Sequence, residues 1–260
     1  MDWQNIQASL FIFRSICTIF ATDLSLQNKK GMENADIKQW LSEHSDEKLR
    51  EFSQTLVPGP CPMYGVRIPL LRAFSRKLLR EDWRAWLEQA SDDTLEEILL
   101  QGFVVGYARM DESEAYSRME TYARKISNWM LCDSPCCSFM FVRKDRRRAW
   151  AFLQPYLDSE EEFQQRFGTV MLMDHFLTDD YINKVLERLE GAQPKGYYAA
   201  MAMAWALSVC FVKYPEQTLS VLRSDKLDKE VYNMAMRKLK ESCRIPDEFR
   251  PAVRALRRRR

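Results

Sequence analysis

The sequence predicts an all-α protein, a solenoid in which helices pair and the pairs stack into a superhelix with a concave face. From Met32 onward, apolar residues recur at helical spacing almost without a break. No run alternates with period two for long enough to require a strand. The second half repeats a pair of helices, "FQQRFGTVMLMDHFL" and then "YYAAMAMAWALSVCF", each followed by an acidic-to-basic partner, with a period of roughly 40 residues. That period belongs to HEAT-type helical repeats. Glycine is scarce, at 8 of 260 residues, and Leu, Met, Ala, Arg and Glu are plentiful, which favours helices. The length suits one large domain or a repeat array.

Taken in order, residues 1–31 stand apart. "ASLFIFRSICTIF" is apolar, but Arg14 interrupts it and no basic segment precedes it. It is too short to span a bilayer and makes a poor signal peptide. We read it as an upstream-start artefact or a loose appendage, with "MENADIKQWL" opening the first helix. "IPLLRAFSRKLL" sets Ile68, Leu71, Phe74 and Leu78 on one side and Arg72, Arg76 and Arg80 along another. Pro69 suits a first helical turn. "SDDTLEEILLQGFVVGYA" starts with a Ser/Asp cap and early acids. "DSEEEFQQRFGTVMLMDHFL" and "KGYYAAMAMAWALSVCFVKYP" are further long periodic runs, the second closed by Pro215, with breaks such as "LTDD" and "EGAQPKG" between helices. The repeat domain is therefore expected over residues 32–243, followed by a basic tail over 244–260.

The formal charge is only +2, but it is unevenly spread. Residues 64–80 carry five basic side chains and no acid; residues 118–148 carry eight Lys/Arg against three Asp/Glu. Acids gather in "DDTLEE" and "DSEEE". Such segregation makes a positive face that a phosphate backbone would read, although a solvated helix surface accounts for the charge alone equally well. The seven cysteines, with Cys136 and Cys137 adjacent, form no disulfide framework, so a reducing, cytoplasmic setting is expected.

The stretch "NWMLCDSPCC" (128–137) concentrates chemistry-bearing residues. Cys132, Cys136 and Cys137 have no matching second CxxC and no nearby histidine, and the chain has only His44 and His175. Structural zinc needs four ligands at recognisable spacing, so no metal and no cofactor are expected, and these cysteines read as small apolar residues between helices. Trp129 and Asp133, four apart on a helix, share a face. An indole beside a carboxylate can hold a cation or a cationic transition state; equally, the pair can be a core tryptophan and helix-capping chemistry.

Four segments in order, "YGVRIPLLRAFSRKL" (64–78), "NWMLCDSPC" (128–136), "FQQRFGTVMLMDHFL" (163–177) and "AAMAMAWALS" (199–208), resemble the DNA alkylation repair family of AlkD-like HEAT-repeat DNA glycosylases. The similarity runs from about Glu33 to Glu241. The family's W-x-x-x-D falls on Trp129 and Asp133, its Q-R-x-x-x-x-L arginine on Arg166, and its A-x-x-W-x-L tryptophan on Trp205. The resemblance implies hydrolysis of the N-glycosidic bond of cationic N3- or N7-alkylated purines in double-stranded DNA, by a monomer with no membrane association. Such a purine already carries positive charge and leaves without a general acid. Asp133 would stabilise the oxocarbenium ion and position water, and Trp129 and Trp205 would lay ring faces on the deoxyribose. Arg166 would fork a flanking phosphate, and Arg72, Arg76, Arg143, Arg146 and Arg147 would contact the DNA backbone. The chain departs from the family at Ala200 and Ser208, where basic residues are expected. Relatives that keep the fold without the activity make a non-catalytic binder of bent or damaged DNA the alternative. An interaction scaffold, the commonest use of helical repeats, would expose an apolar groove for which no helix has surplus apolar residues.

Overall fold

A computed structural model describes residues 32–256; the expectations for residues 1–31 and for the last four arginines lie outside them. The described residues form fourteen α-helices and two 3-10 turns, without a strand. They are α1 (Asn34–Glu43), α2 (Glu47–Gln54), α3 (Ile68–Leu78), α4 (Trp83–Gln89), α5 (Leu95–Tyr107), α6 (Glu112–Ala123) and α7 (Trp129–Cys136). After a 3-10 turn at Met140–Arg143 follow α8 (Arg146–Leu157), α9 (Glu162–His175), α10 (Ile182–Gly191), α11 (Tyr197–Lys213), α12 (Pro215–Arg223) and α13 (Lys229–Glu241). A second 3-10 turn, Asp247–Phe249, leads into α14 (Arg250–Ala255).

Every second helix joins one row. α3 packs on α5, α5 on α7, α7 on α9, α9 on α11 and α11 on α13. Against this row lie α6 beside α5, α8 beside α9, and α10 and α12 beside α11 and each other. This is the pairing that the roughly 40-residue period anticipates. The central row helices α5, α9 and α11 are buried nearly all round because they have neighbours on several sides: Leu99, Leu100 and Phe103 of α5, Phe167 and Met171 of α9, and Ala204 and Leu207 of α11 are all at most 1 % exposed.

Local chemistry sets the ends. Asp46, Asp82, Asp111, Asn128, Asp145 and Asp228 each cap a helix by accepting from a first-turn N–H. At α5 the cap is Thr94, not the preceding Ser or Asp residues: the Leu95 N–H is taken by the Pro62 carbonyl, and Asp92 instead accepts from Gln101 and Lys125. Pro69 lies in the first turn of α3, and Pro215 opens α12. Residues 244–256, set apart from sequence as a basic tail, continue the core: Ile245 and Val253 are buried, α14 packs on α13, and Phe249 meets the Phe211 ring edge-on.

One helix carries an internal proline. Pro135 in α7 has no N–H to give the Leu131 carbonyl one turn earlier. The buried Tyr122 hydroxyl of α6 donates to that carbonyl instead, at 2.7 Å. Gly102 of α5 makes room for this substitute: a Cβ there would stand 2.5 Å from the Tyr122 ring and 2.8 Å from Pro135. Tyr122→Phe should therefore leave a buried carbonyl unsatisfied and destabilise the fold by about 1–3 kcal/mol. Urea unfolding beside the parent checks this; a variant of equal stability would mean that water or a shifted backbone satisfies Leu131.

Candidate functional site

α7 begins at the Asn128 cap, whose side chain accepts from the Leu131 N–H at 3.1 Å. Capping chemistry therefore belongs to Asn128, and Asp133 lies a turn inside the helix. Its carboxylate meets Arg166 of α9 in a forked pair: Arg166 Nε donates to Oδ1 at 2.9 Å and Nη2 to Oδ2 at 2.6 Å. Both residues are buried, at 8 % and 5 % exposure. The remaining terminal nitrogen of Arg166 donates to the Tyr198 carbonyl in the first turn of α11, at 2.8 Å. Burial opposes the charge of Arg166, but the Asp133 carboxylate more than offsets it and holds the guanidinium above its ordinary value. Three successive row helices thus meet at one ion pair.

Trp129, one turn before Asp133, is half-buried, and its indole N–H donates to the Leu56 carbonyl beyond α2 at 3.0 Å. The segment supplying that carbonyl is itself tied down. The buried Glu96 carboxylate of α5 accepts from the backbone N–H groups of Tyr64, Gly65 and Val66. Gly65 has φ +83°, and a Cβ there would approach the Asp46 carbonyl to 2.4 Å. Trp205 is half-buried on α11, two turns after Tyr198 and so on the same face. The structure joins Asp133 and Arg166 directly; it relates Trp205 to them through the packing of α11 on α9.

The arginines expected on DNA divide into two kinds. Arg72 lies over the Phe103 ring and donates to the Tyr107 hydroxyl and, at 2.6 Å, to the Ser134 carbonyl in the last turn of α7. Arg143 donates to the Asp174 carbonyl at 2.8 Å, and Arg146 to the His175 carbonyl at 3.0 Å, at the end of α9. These three satisfy carbonyls that a helix C-terminus leaves without donors. Arg76, over the Tyr107 ring, and Arg147 are exposed.

His175 links the two helix ends. Arg143 Nε can only donate, so His175 Nδ1 accepts it at 3.0 Å, and Nε2–H donates to the Cys136 carbonyl at 2.8 Å. Burial foremost, then the charges of Arg143 and Arg146, push this imidazole down to about 4 from 6.5. Cys132 and Cys136 are buried, and among the described residues no group of His, Cys, Asp and Glu could hold a metal ion. Nor is any described helix long and apolar enough to cross a membrane.

The family model for DNA alkylation repair enzymes matches residues 37–239, which takes in all of α2 to α12, the ion pair and both tryptophans. The chain belongs to the DNA alkylation repair enzyme family. Neither the curated proteins nor the solved structures yield a match. Membership makes this an enzyme of DNA alkylation repair, with DNA as its partner. A cavity of about 500 Å³ beside α9 and α10, lined by Gln165, Thr169, Glu187, Arg188 and Met203 among others, includes none of the candidate residues. Sequence reasoning missed Tyr122, His175 and Lys238 of α13, whose ammonium interacts electrostatically with both Arg166 and Asp133. The proline in α7 was the available signal for Tyr122; nothing local marks the other two.

Removing one member of the ion pair leaves a buried charge uncompensated, which costs about 3–5 kcal/mol. Arg166→Met and Asp133→Leu should each lose about that much, and the double variant should recover most of it. Urea unfolding of the three proteins gives the coupling; additive losses would show that the pair stabilises nothing as a pair.

His175 makes a second contribution that depends on pH. Its folded value, about 4, lies below the ordinary 6.5, so its stabilising share is complete above about pH 6.5 and lost as pH falls towards 4. The shift corresponds to about 3 kcal/mol. Unfolding free energies of the parent and His175→Gln, compared from pH 7 to pH 4, should show the parent losing about that much more.

Proposed function

We propose that this protein is a DNA glycosylase that hydrolyses the N-glycosidic bond of cationic N3- and N7-alkylated purines in duplex DNA. The observation that carries the reading is the Asp133 carboxylate. It is inside a helix rather than at its cap, one turn from an indole whose edge is anchored, and held from both oxygens by Arg166. A carboxylate so constrained needs no reorganisation when positive charge develops nearby, which is how a fixed charge accelerates a reaction. As the bond to the purine lengthens, charge passes from the base to the sugar. Asp133 stabilises the oxocarbenium ion and orients the attacking water, and the ring faces of Trp129 and Trp205 flank the sugar. The leaving base takes back the bonding electrons as a neutral purine, so no general acid is required. In this reading these residues face a concave surface, where the duplex lies as the protein's substrate and Arg76 and Arg147 meet its backbone. The protein acts as a monomer without a cofactor.

The pairing with Arg166 also favours a second reading. A carboxylate already neutralised by a guanidinium is what a structural joint between two helices needs, and such a protein would bind bent or damaged duplex without chemistry. Single-turnover release of 7-methylguanine from methylated duplex separates the two. The glycosylase reading expects release by the parent well above spontaneous depurination. It expects Asp133→Asn to lose about a hundredfold, roughly 3 kcal/mol in the barrier, at a temperature where unfolding measurements show the variant folded. A folded Asn variant as fast as the parent, or a parent no faster than buffer, sinks it.

A further inference from the structure

Helix α3 carries two arginines one turn apart, and the structure holds them differently. Arg72 lies over the Phe103 ring of α5 and Arg76 over the Tyr107 ring, each 4.5 Å from the ring centre and one turn apart on both helices. The two rings are nearly parallel, with planes 12° apart and centroids 6.3 Å apart, so both guanidiniums rest on one aromatic ladder. The half-buried Tyr107 is fixed at its hydroxyl, which accepts from Arg72, and the second terminal nitrogen of Arg72 donates to the Ser134 carbonyl of α7 at 2.6 Å. Arg72 thereby joins α3, α5 and α7, and it holds the Tyr107 ring in one orientation against Arg76.

Arg76 closes no such joint. Its Nη1 donates to the Arg72 carbonyl at 3.3 Å, a long contact to an oxygen that the Ser75 hydroxyl already serves at 2.9 Å. Lys77 and Arg80 stand beside it: α3 ends at Leu78, and the Arg80 N–H donates to the Lys77 carbonyl at 2.9 Å, so the turn continues through Arg80. Arg67, at the start of the same helix, has a carboxylate partner in Asp46 at 3.0 Å. Arg76, Lys77 and Arg80 are exposed and pair with no carboxylate among the described residues. Cations at a helix C-terminus complement its dipole, but that effect depends on charge alone and is indifferent to a guanidinium laid flat on a ring. A planar fork held flat, in a cluster of three cations without an acid, matches a row of phosphates rather than a single carboxylate.

We infer that the end of α3 is a binding site for the phosphates of one DNA strand, with Arg76, Lys77 and Arg80 as its ligands and Tyr107 as the positioning residue that fixes the Arg76 fork. The inference deepens the proposed function by giving the duplex a built backbone site; it rests on DNA as the partner and not on the glycosylase chemistry. A cation that contacts a phosphate releases counterions, so its loss lowers the slope of log K against log salt by about 0.9 units. The probe is a short undamaged duplex, titrated against the full chain from about 50 to 200 mM salt. Arg76→Gln should lose about one unit of slope and bind about tenfold more weakly at the low end, and the triple Gln variant of Arg76, Lys77 and Arg80 should lose about two to three units. These residues are exposed, so unfolding transitions should match the parent's. Tyr107→Leu removes the ring and keeps the charge: it should keep the slope but bind about two- to fivefold more weakly, and Tyr107→Phe, which keeps the ring, should restore that affinity. On the Arg76→Gln background Tyr107→Leu should change nothing further, whereas general damage to the fold would weaken binding in both backgrounds alike. An Arg76→Gln protein with the parent's slope, or a Tyr107→Leu loss equal in the two backgrounds, overturns the assignment. A parent that releases no 7-methylguanine would remove the glycosylase reading and leave these binding outcomes to decide the phosphate site on their own.

Discussion

A charge pair taken out of water between two packed helices constrains everything around it. Asp133 and Arg166 can stay buried only while both forks close, so α7 and α9 cannot slide or rotate past one another without stranding a charge. The surroundings meet that demand on the carbonyl side of α7. Leu131, Ser134 and Cys136 each receive a donor from a different element: Tyr122 from α6, Arg72 from α3 and His175 from α9. A helix of eight residues with a proline inside it would be a poor platform by itself. Held at three carbonyls and capped by Asn128, it presents Trp129 and Asp133 in one orientation.

The helices themselves were legible because their signal is local. Ile68, Leu71, Phe74 and Leu78 follow the helical period, and the last three are buried as that period requires. Trp129 and Asp133 could be paired for the same reason, since four positions define a shared face whatever the tertiary structure. Arg166 could not be placed on Asp133 that way. The two are brought together by the stacking of successive repeats, and periodicity states that the helices pack without stating their register. The division among the arginines was hidden for a related cause: Arg72, Arg76 and Arg80 look equivalent on one stripe, and only the arrival of Ser134 and Phe103 distinguishes the first. In 244–256 the run of charge masks two apolar residues, Ile245 and Val253, that reach the core.

The positive face inferred from composition is thus partly an internal device. Arg72, Arg143 and Arg146 satisfy helix ends, and of these three only Arg143 is also exposed, as Arg76 and Arg147 are. The glycosylase proposed here would recognise DNA with modest charge and keep its most constrained charges for the sugar. This fits chemistry whose substrate brings its own positive charge: the protein has little to protonate and much to hold still.

The bond from Trp129 to the Leu56 carbonyl has a bearing on how the molecule folds. A stack of repeats joined only to its neighbours can fray from either end, each pair opening almost independently. Here an indole in the middle of the row is fastened to the chain that leaves α2, and Arg72 of α3 reaches past α5 to Ser134. These are clasps of long sequence separation laid over a fold of short-range contacts. They couple the opening of the first helices to the loosening of α7, so the site and the N-terminal end share one cooperative unit. Mutations around Leu56, distant in sequence from the site residues, would then be felt as a loss of order at the tryptophan.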